Sequence, residues 1–367
     1  MLRLRAADRG AAAAPRLGRS AQRVGAGRPS RDAGGRRCVP PCSYVPPCRS
    51  ACRRANTLPW SLACSSGRAP LGDPADLDDR AACGACGQHY ERRDGIWRLL
   101  PPARAAYFAP FLRDYTAIRA AEGYGYDTAA HYRRLPEVDP SDPLAWQWRM
   151  RAITFAELRA RVLRPLGAGL RVLDLGSGVG WLSHRLAQLG HAPCAVDLNL
   201  DPRDGLAAAR HYPAAWPLLQ AEFDRLPLAP AQADVVLFNA SLPYSADYAI
   251  TLAEALRVLR PGGRLVVMDS PIYRRDASGR QMLAERQAAF VRAHGTRADA
   301  LPSVGYLTWP MLHALGRTLG LRWRAYTPWY GWRWAVRPWR ARLLRQREPS
   351  TFALLVAQRA DEAYRRG

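Results

Sequence analysis

One short segment constrains the fold of this chain more than any other. The apolar run Val172–Leu175 is followed by a turn that carries Gly176, Gly178 and Gly180, and then by an amphipathic stretch. Glycine has no Cβ, so such a turn adopts positive φ and lets a ligand approach the backbone, beside the free N–H groups of a helix start. The pattern predicts a strand, a ligand-binding loop and a helix, in that order.

Short apolar runs and helical stretches alternate on either side of this loop. Such alternation is typical of a doubly wound α/β fold with a mostly parallel sheet. The predicted strands are Val172–Leu175, Ala192–Val196, Pro217–Ala221, Val235–Phe238, Leu265–Met268, Leu321–Tyr326 and Phe352–Ala357. We therefore expect a Rossmann-like sheet of seven strands, with a small N-terminal knuckle and a helical cap.

The glycine loop departs from the dinucleotide motif G-x-G-x-x-G, because Trp181 stands where that motif needs Gly or Ala. This departure argues against a nicotinamide oxidoreductase. Asp174 lies two residues before the first glycine, the apolar run 233–239 forms a fourth strand, and Arg260-Pro261-Gly262-Gly263 precedes the fifth. On these residues the chain resembles the class I S-adenosylmethionine-dependent methyltransferases, in particular the type 11 domain, over about residues 165–270.

The resemblance implies S-adenosylmethionine as cofactor and assigns roles to individual residues. Asp197 ends the second strand, where the family's acid bonds both ribose hydroxyls. Glu222 stands where the family usually has Asp facing the adenine amino group, with Phe223 beside the ring. The predicted cofactor-binding residues are Asp174, Gly176, Ser177, Gly178, Gly180, Asp197, Leu198, Glu222, Phe223 and Asn239.

Methyl transfer requires an acceptor held in line with the S–CH3 bond in a site that excludes water. A hydroxyl acceptor would also need a general base, which we expect after the fourth and fifth strands, where their carboxyl ends meet the crevice. The candidates are Asn239, Ser241, Tyr244, Asp269 and Tyr273. Packing or loop capping is the favoured interpretation for each of them.

Residues 57–102 resemble the zinc ribbon of the tRNA methyltransferase activator type. The candidate ligands are Cys64, Cys83 and Cys86. Tetrahedral zinc takes four thiolate or imidazole ligands, but Gly67 replaces the second cysteine of the pattern. The possible substitutes are His89, Cys52 and Cys48. A degenerate knuckle without metal is the favoured interpretation, while zinc with a substitute ligand and a disulfide stay open.

The formal net charge of +23 resembles a nucleic-acid footprint, but its distribution weakens that interpretation. Thirteen arginines lie in residues 1–54 against only Asp8 and Asp32, and the whole chain lacks Lys. A compositional bias explains both facts better than one phosphate-binding surface does. Residues 1–56 are predicted to be a disordered tail, with a transit peptide or a non-native start as alternatives.

The remaining segments complete the predicted organisation. Residues 103–164 show helical spacing and predict a cap, and the methyltransferase domain is predicted to span residues 165–360. Within it, residues 328–349 form an insertion that interleaves Trp and Arg. This composition suits an anionic membrane interface, stacking on exposed bases, or a surface helix with its tryptophans packed on the sheet.

These observations together predict a cytoplasmic methyltransferase that acts on a small hydrophobic or lipid-like acceptor, with peripheral membrane contact through residues 328–347. An RNA methyltransferase and a non-catalytic binding module with the same fold are the alternatives. Nothing in the sequence indicates the oligomeric state.

Overall fold

A computed structural model describes residues 60–296 and 299–360 of the 367-residue chain. The predicted tail of residues 1–56, and with it Cys48 and Cys52, lies outside the described residues.

The strands are short at the N-terminus and longer in the centre. Their bounds are β1 (Leu62–Ala63), β2 (Pro70–Gly72), β3 (Arg80–Ala82), β4 (His89–Arg93), β5 (Ile96–Arg98), β6 (Arg171–Leu175), β7 (Ala192–Asp197), β8 (Leu218–Gln220), β9 (Ala233–Asn239), β10 (Leu259–Met268), β11 (Ile272–Tyr273), β12 (Leu307–Thr308), β13 (Leu321–Tyr326) and β14 (Leu354–Arg359). All seven strands predicted from the sequence are present, with ends that differ by a few residues.

The helices precede, separate and follow the central strands. Their bounds are α1 (Pro102–Ala121), α2 (Ala129–Arg134), α3 (Ala145–Leu158), α4 (Arg164–Leu166), α5 (Trp181–Gln188), α6 (Tyr248–Val258), α7 (Asp276–His294), α8 (Trp309–Leu319), α9 (Trp332–Ala335) and α10 (Arg337–Leu343). A π-helical turn, Arg159–Leu163, joins α3 to α4. None of these described helices combines the length and the apolar character needed to cross a bilayer.

The main sheet has the order β13-β14-β10-β9-β6-β7-β8-β5-β4-β3. Strands β10, β9, β6, β7 and β8 are mutually parallel, whereas β14 is antiparallel to β10 and to β13. This is the predicted doubly wound sheet. Three strands of the N-terminal segment extend it to ten, an addition that the seven-strand prediction did not contain.

The N-terminal extension joins the sheet through a tight hairpin. Asp94 and Gly95 link β4 to β5 with φ of 52° and 76°, the positive values that a two-residue hairpin turn requires. Strand β5 then pairs in parallel with β8, with Trp97 opposite Leu219. Because Trp97 is only 1% exposed, the N-terminal segment shares the core of the sheet.

The central strands are buried on both faces, as their nearly continuous apolar sequences require. Alternate residues of one strand face opposite layers: Leu173 packs in the cluster that contains α6 residues, and Val172 in the cluster that contains α5 residues. The parallel strands all end at the same edge of the sheet. Their loops, and the polar residues that follow each strand, therefore converge on one crevice.

Candidate active site

The glycine loop between β6 and α5 has the conformation that its sequence predicts. Gly176, Gly178 and Gly180 have φ of 73°, 54° and 74°, in the left-handed region that favours glycine. A Cβ on Gly176 would lie 2.3 Å from the Cβ of Ser241, so this glycine is also required by close packing. The loop thus leaves its backbone open toward the crevice.

Asp197, at the end of β7, organises this loop. One of its carboxylate oxygens accepts a hydrogen bond from the backbone N–H of Gly178, and the other accepts one from Asn199, each at 2.8 Å. Each oxygen keeps a further lone pair for a ligand. Leu198 follows directly, and its carbonyl accepts a hydrogen bond from the Gln220 side chain at 3.3 Å.

Asp174 is fully buried in the middle of β6. Its Oδ2 accepts a hydrogen bond of 2.8 Å from the Ser183 hydroxyl, whereas Oδ1 has no partner among the described residues. Burial raises the pKa of this carboxyl to about 7. Asp174 is therefore a poorly compensated acid directly beneath the glycine loop.

Several buried polar atoms at this edge of the sheet have no hydrogen-bond partner in the part of the chain that the structure describes. They are Oδ1 of Asp174, Oγ of Ser177, Oδ1 of Asn239 and Oδ2 of Asp269. Buried polar atoms are normally paired, and the exceptions mark places where a ligand or water binds. The donor and acceptor set therefore fits a polar ligand lying across the ends of β6, β9 and β10.

Some side chains here are deep in the molecule and yet remain partly exposed. Burial raises the pKa of the carboxyl groups of Asp197 and Asp269 and of the Tyr115 hydroxyl, although all three side chains keep contact with solvent. Groups that are surrounded by protein but reachable by water line a cleft. The edge of the sheet is thus recessed rather than flat.

The backbone is strained where β9 and β10 end. Ala240 and Asp269 have φ of 59° and 53°, values that are uncommon for residues with a side chain. Such conformations cost of the order of 1 kcal/mol or more, and they concentrate at functional sites. Here they occur where the two strands end, next to Asn239 and at Asp269.

Glu222 follows β8 and is nearly buried, but its carboxylate is already paired. Arg104 of α1 donates hydrogen bonds to it at 3.0, 3.1 and 2.5 Å, and this pairing raises the pKa of Arg104. The neighbouring Phe223 lies over the loop, 3.3 Å from where a Cβ of Gly176 would be. The sequence predicts Glu222 and Phe223 at this site, but no local signal in it indicates Arg104.

Helix α1 covers the crevice with aromatic side chains. Phe111 and Tyr115 contact Tyr244, with ring centroids 6.0 and 5.7 Å apart. At the far end of α1, Arg119 forms two hydrogen bonds with Asp204, at 2.6 and 2.8 Å. We call α1 the roof helix, because it is anchored at both ends and crosses the ends of the strands.

The candidate bases lie in different surroundings. Tyr244 is 37% exposed beneath the roof helix, whereas Ser241 is buried and donates a hydrogen bond to the Leu175 carbonyl at 2.5 Å. Tyr273 is 2% exposed, and its hydroxyl accepts a hydrogen bond of 3.1 Å from Arg347. The Thr154 side chain of α3 lies close to Asp269. Asn239, Tyr244 and Asp269 thus line the crevice, and Ser241 and Tyr273 are occupied elsewhere.

A second anchor joins the cap to the Trp- and Arg-rich insertion. The hydroxyls of Thr154 and Tyr330 are 2.9 Å apart, and both residues are buried. Because Thr154 also contacts Asp269, the insertion is attached at the β10 side of the crevice. No pattern in the sequence pointed to Thr154 or Tyr330, since nothing local distinguishes a buried hydroxyl pair.

The three candidate zinc ligands lie together on the N-terminal segment. The sulfur atoms of Cys64, Cys83 and Cys86 are all within 4.8 Å of one another. Burial raises the pKa of the Cys64 thiol, but hydrogen bonds from Tyr90 and from the backbone lower it by more. The net result is a pKa of about 7, below the ordinary value for cysteine.

The fourth zinc position is not filled among the described residues, where this cluster contains three possible ligands and not His89. A Cβ on Gly67 would lie 3.3 Å from the Cys86 sulfur and 3.4 Å from the Cys83 sulfur. The missing cysteine of the ribbon pattern therefore belongs at Gly67. As it stands, the set does not fit the closed four-ligand zinc site of a structural ribbon.

Comparison with known proteins identifies the central domain. Residues 173–267 match the methyltransferase domain family. The malonyl-[acyl-carrier protein] O-methyltransferase of Hahella chejuensis is 40% identical over 101 residues, which are 26% of this chain and 34% of that protein. This chain spans about a third to a half of the length of the relatives of this name that it matches.

A longer match extends beyond the domain. The demethylmenaquinone methyltransferase of Mycobacterium sp. (strain KMS) is 31% identical over 173 residues, 44% of this chain and 73% of that protein. One similar solved structure is the 1,6-didemethyltoxoflavin-N1-methyltransferase of Burkholderia thailandensis with bound S-adenosylhomocysteine. The alignment covers 76% of this chain and 98% of that chain, at 18% identity and a TM-score of 0.43. With its glycine loop, acidic strand ends and the extent of the Mycobacterium match, this chain belongs to the S-adenosylmethionine-dependent methyltransferases.

Proposed function

We propose that this protein transfers the methyl group of S-adenosylmethionine to a small hydrophobic or lipid-like acceptor. The observation that carries the proposal is the crevice itself, in which unpaired polar atoms line the strand ends and aromatic rings line the roof. The polar side suits the cofactor, and the aromatic side suits an apolar acceptor.

The cofactor would lie over the glycine loop. Asp197 has the free lone pairs to accept hydrogen bonds from two ribose hydroxyls, since its oxygens each use one pair on a backbone N–H. Phe223 offers a ring face beside the loop. The buried acid Asp174 would balance the positive charge of the ligand from below, directly or through water.

When bound, the cofactor supplies a methyl group on a positively charged sulfur. The protein's task is then to align the acceptor and exclude water. Phe111, Tyr115 and Tyr244 form the apolar wall that does both. For a hydroxyl acceptor we assign proton removal to Asp269, because its carboxyl faces the crevice with a raised pKa and an unpaired oxygen.

The name of the Mycobacterium relative supports a hydrophobic acceptor. The Mycobacterium relative acts, by its name, on demethylmenaquinone, and the Hahella relative on a malonyl group held by an acyl-carrier protein. An aromatic wall of three rings is compatible with the first of these. We infer the class of acceptor from this wall.

Calorimetric titration of S-adenosylmethionine into the full chain tests the cofactor half. We expect micromolar binding, and a loss of about 10- to 100-fold for Asp197→Ala, because a charged acceptor is worth roughly 1.5–3 kcal/mol. Asp127→Asn is the matched control, since that acid is 82% exposed and, among the described residues, forms a salt bridge only with Arg203. If the folded parent does not bind S-adenosylmethionine, the proposed enzymatic activity is wrong and a non-catalytic binding module is the remaining interpretation.

Transfer of a radioactive methyl group into fractions of a cell extract tests the acceptor half. Label should enter the solvent-extracted lipid and quinone fraction, and Tyr115→Ala should reduce this incorporation by removing part of the apolar wall. Incorporation of label into RNA alone, with none in the lipid fraction, would show that the acceptor is RNA and not a lipid-like molecule. The methyltransferase activity itself would stand.

A further inference from the structure

The insertion between β13 and β14 exposes an unusual set of large apolar side chains. Their exposed fractions are 63% for Trp329, 77% for Trp332, 48% for Val336, 75% for Trp339 and 84% for Leu343. We call these five residues the tryptophan surface. An exposed cluster of this kind is a recognised sign of an interaction site.

The exposed residues follow a helical repeat. Trp332, Val336, Trp339 and Leu343 are spaced by four, three and four positions, and backbone hydrogen bonds continue through Val336 from α9 to α10. They therefore form one stripe along the outer face of the insertion. The expectation that the tryptophans pack on the sheet is correct only for the opposite face.

That opposite face is firmly attached to the protein. The Trp334 ring lies 5.1 Å from Tyr330 and 5.5 Å from Phe352, and Arg337 stacks 3.2 Å from it. Arg337 also donates a hydrogen bond of 2.6 Å to the Ser350 carbonyl. The insertion is thus a fixed platform, and its outward stripe is not a consequence of loose packing.

The platform is also strongly basic. No Asp or Glu occurs from residue 300 to residue 347. Arg333, Arg340, Arg342 and Arg345 are exposed, and none of them forms a salt bridge within residues 60–296 and 299–360. The arginines flank the apolar stripe on the same platform, so the surface offers rings and cations together.

We propose that the tryptophan surface docks on an anionic lipid membrane. Tryptophan rings favour the level of the lipid headgroups, apolar side chains such as Leu343 reach below it, and arginines attract the negative surface. A protein partner would bury the rings as well, but it would not call for four unpaired cations around them. This inference deepens the proposed function, since a lipid-like acceptor would then reach the crevice from the bilayer.

The position of the platform agrees with this role. Its buried Tyr330 contacts Thr154, which in turn contacts Asp269 at the β10 side of the crevice. Strand β13 is parallel to β10, so the insertion emerges at the edge where the crevice opens. Membrane docking through the platform would place the acceptor side of the crevice close to the lipid surface.

Cosedimentation of the full chain with vesicles tests the proposal. Vesicles of phosphatidylcholine with about 30% phosphatidylglycerol should bind the protein, and pure phosphatidylcholine should bind it much less. Trp332→Ser/Trp339→Ser should weaken binding by about tenfold or more, and Arg333→Gln/Arg340→Gln should reduce the preference for anionic lipid. The arginines of residues 1–54 are present in every variant and so cancel in the comparison.

Matched controls separate this surface from a general loss of apolar or basic residues. Ile250→Ser/Val291→Ser removes two exposed apolar side chains from other helices, and Arg210→Gln/Arg317→Gln removes two exposed cations. Both controls should bind vesicles as the parent does. Titration with S-adenosylmethionine shows that each variant is folded, and it also separates failure of docking from failure of the proposed function.

Two outcomes would overturn the proposal. One is equal vesicle binding by the parent and by Trp332→Ser/Trp339→Ser. The other combines two results: the parent does not sediment with anionic vesicles, and it binds tRNA in a salt-sensitive way that weakens in Arg333→Gln/Arg340→Gln. This outcome would assign the surface to RNA.

Discussion

Arg104 donates three hydrogen bonds to the carboxylate of Glu222, which lies 118 positions later in the chain. Glu222 is nearly buried after β8, and Arg104 lies in the first turn of the roof helix. The pair therefore fixes the roof over the end of the crevice where the adenine ring of the cofactor is expected. A buried charge that depends on one distant partner is costly to leave alone.

Arg104→Gln should lower the free energy of unfolding by about 2 kcal/mol, since it leaves the Glu222 carboxylate without its charged donor. Urea denaturation of the full chain measures this change. In Arg104→Gln/Glu222→Gln the loss should be smaller than the sum of the two single losses, because neither variant side chain is charged. Strictly additive losses would show that the pair does not anchor the roof.

Gly176→Ala should destabilise the protein far more than Gly178→Ala does. Both positions have positive φ, which costs an alanine about 1–2 kcal/mol, but only the Cβ at Gly176 would collide with Ser241. Nothing lies within 4 Å of a Cβ at Gly178. We expect a difference of roughly 2 kcal/mol between the two variants in urea denaturation without cofactor.

Similar losses in the two glycine variants would contradict the close contact between Gly176 and Ser241. The structure would then require these glycines for their backbone conformation alone.

The stability of the protein should fall as pH rises from about 4 to 7, and Asp174 should cause part of this fall. Its folded pKa of about 7 lies above the unfolded value near 4, so in this range the folded state holds a proton that the unfolded state has lost. The contribution of such a group to the free energy of unfolding is fully present below pH 4 and is lost as the pH rises through about 7.

Asp174→Asn should flatten the pH profile, because the amide does not ionise and can still accept the hydrogen bond from Ser183. Relative to the parent, the variant should gain roughly 2–4 kcal/mol between pH 4 and 7. Thermal or urea denaturation at closely spaced pH values measures the difference. Parallel profiles for parent and variant would mean that Asp174 is ionised in the folded protein well below pH 7.

Gly67→Cys should create a complete zinc site on the N-terminal segment. The new sulfur would join the thiols of Cys83, Cys86 and Cys64, and four thiolates satisfy tetrahedral zinc. Dialysis against zinc and metal analysis should give one ion per chain, bound at least about 100-fold more tightly than by the parent.

Gly84→Cys is the control for this variant. It also adds one cysteine to the segment, but a Cβ at Gly84, unlike one at Gly67, has no atom of Cys64 or Cys86 within 4 Å. Zinc binding that is equally tight in the parent, Gly84→Cys and Gly67→Cys would show that three thiolates already suffice.

Much of the candidate site follows from local sequence. The positive φ of Gly176, the acid at Asp197 and the apolar runs of the seven strands all belong to short segments, so their spacing predicts their structure. The parallel arrangement then requires that the strand ends meet. For this reason the predicted residues Asn239 and Asp269 lie at the same edge as the glycine loop.

The roof and the N-terminal strands could not be predicted in this way. Pairing of β5 with β8 joins residues more than a hundred positions apart, and so does the contact between Arg104 and Glu222. A strand edge and a buried carboxylate accept many partners of similar chemistry. Which partner is chosen depends on packing energies summed over the whole domain.

The sequence by itself determined the class of this protein, the position of its glycine loop and the residue types at the strand ends, because glycine conformation and strand periodicity act over a few residues. Only the tertiary structure decided that Ser241 and Tyr273 are occupied, that three thiols gather around Gly67, and that a tryptophan stripe faces outward. Those properties depend on which face of an element the rest of the chain covers, and no local pattern of residues specifies that choice.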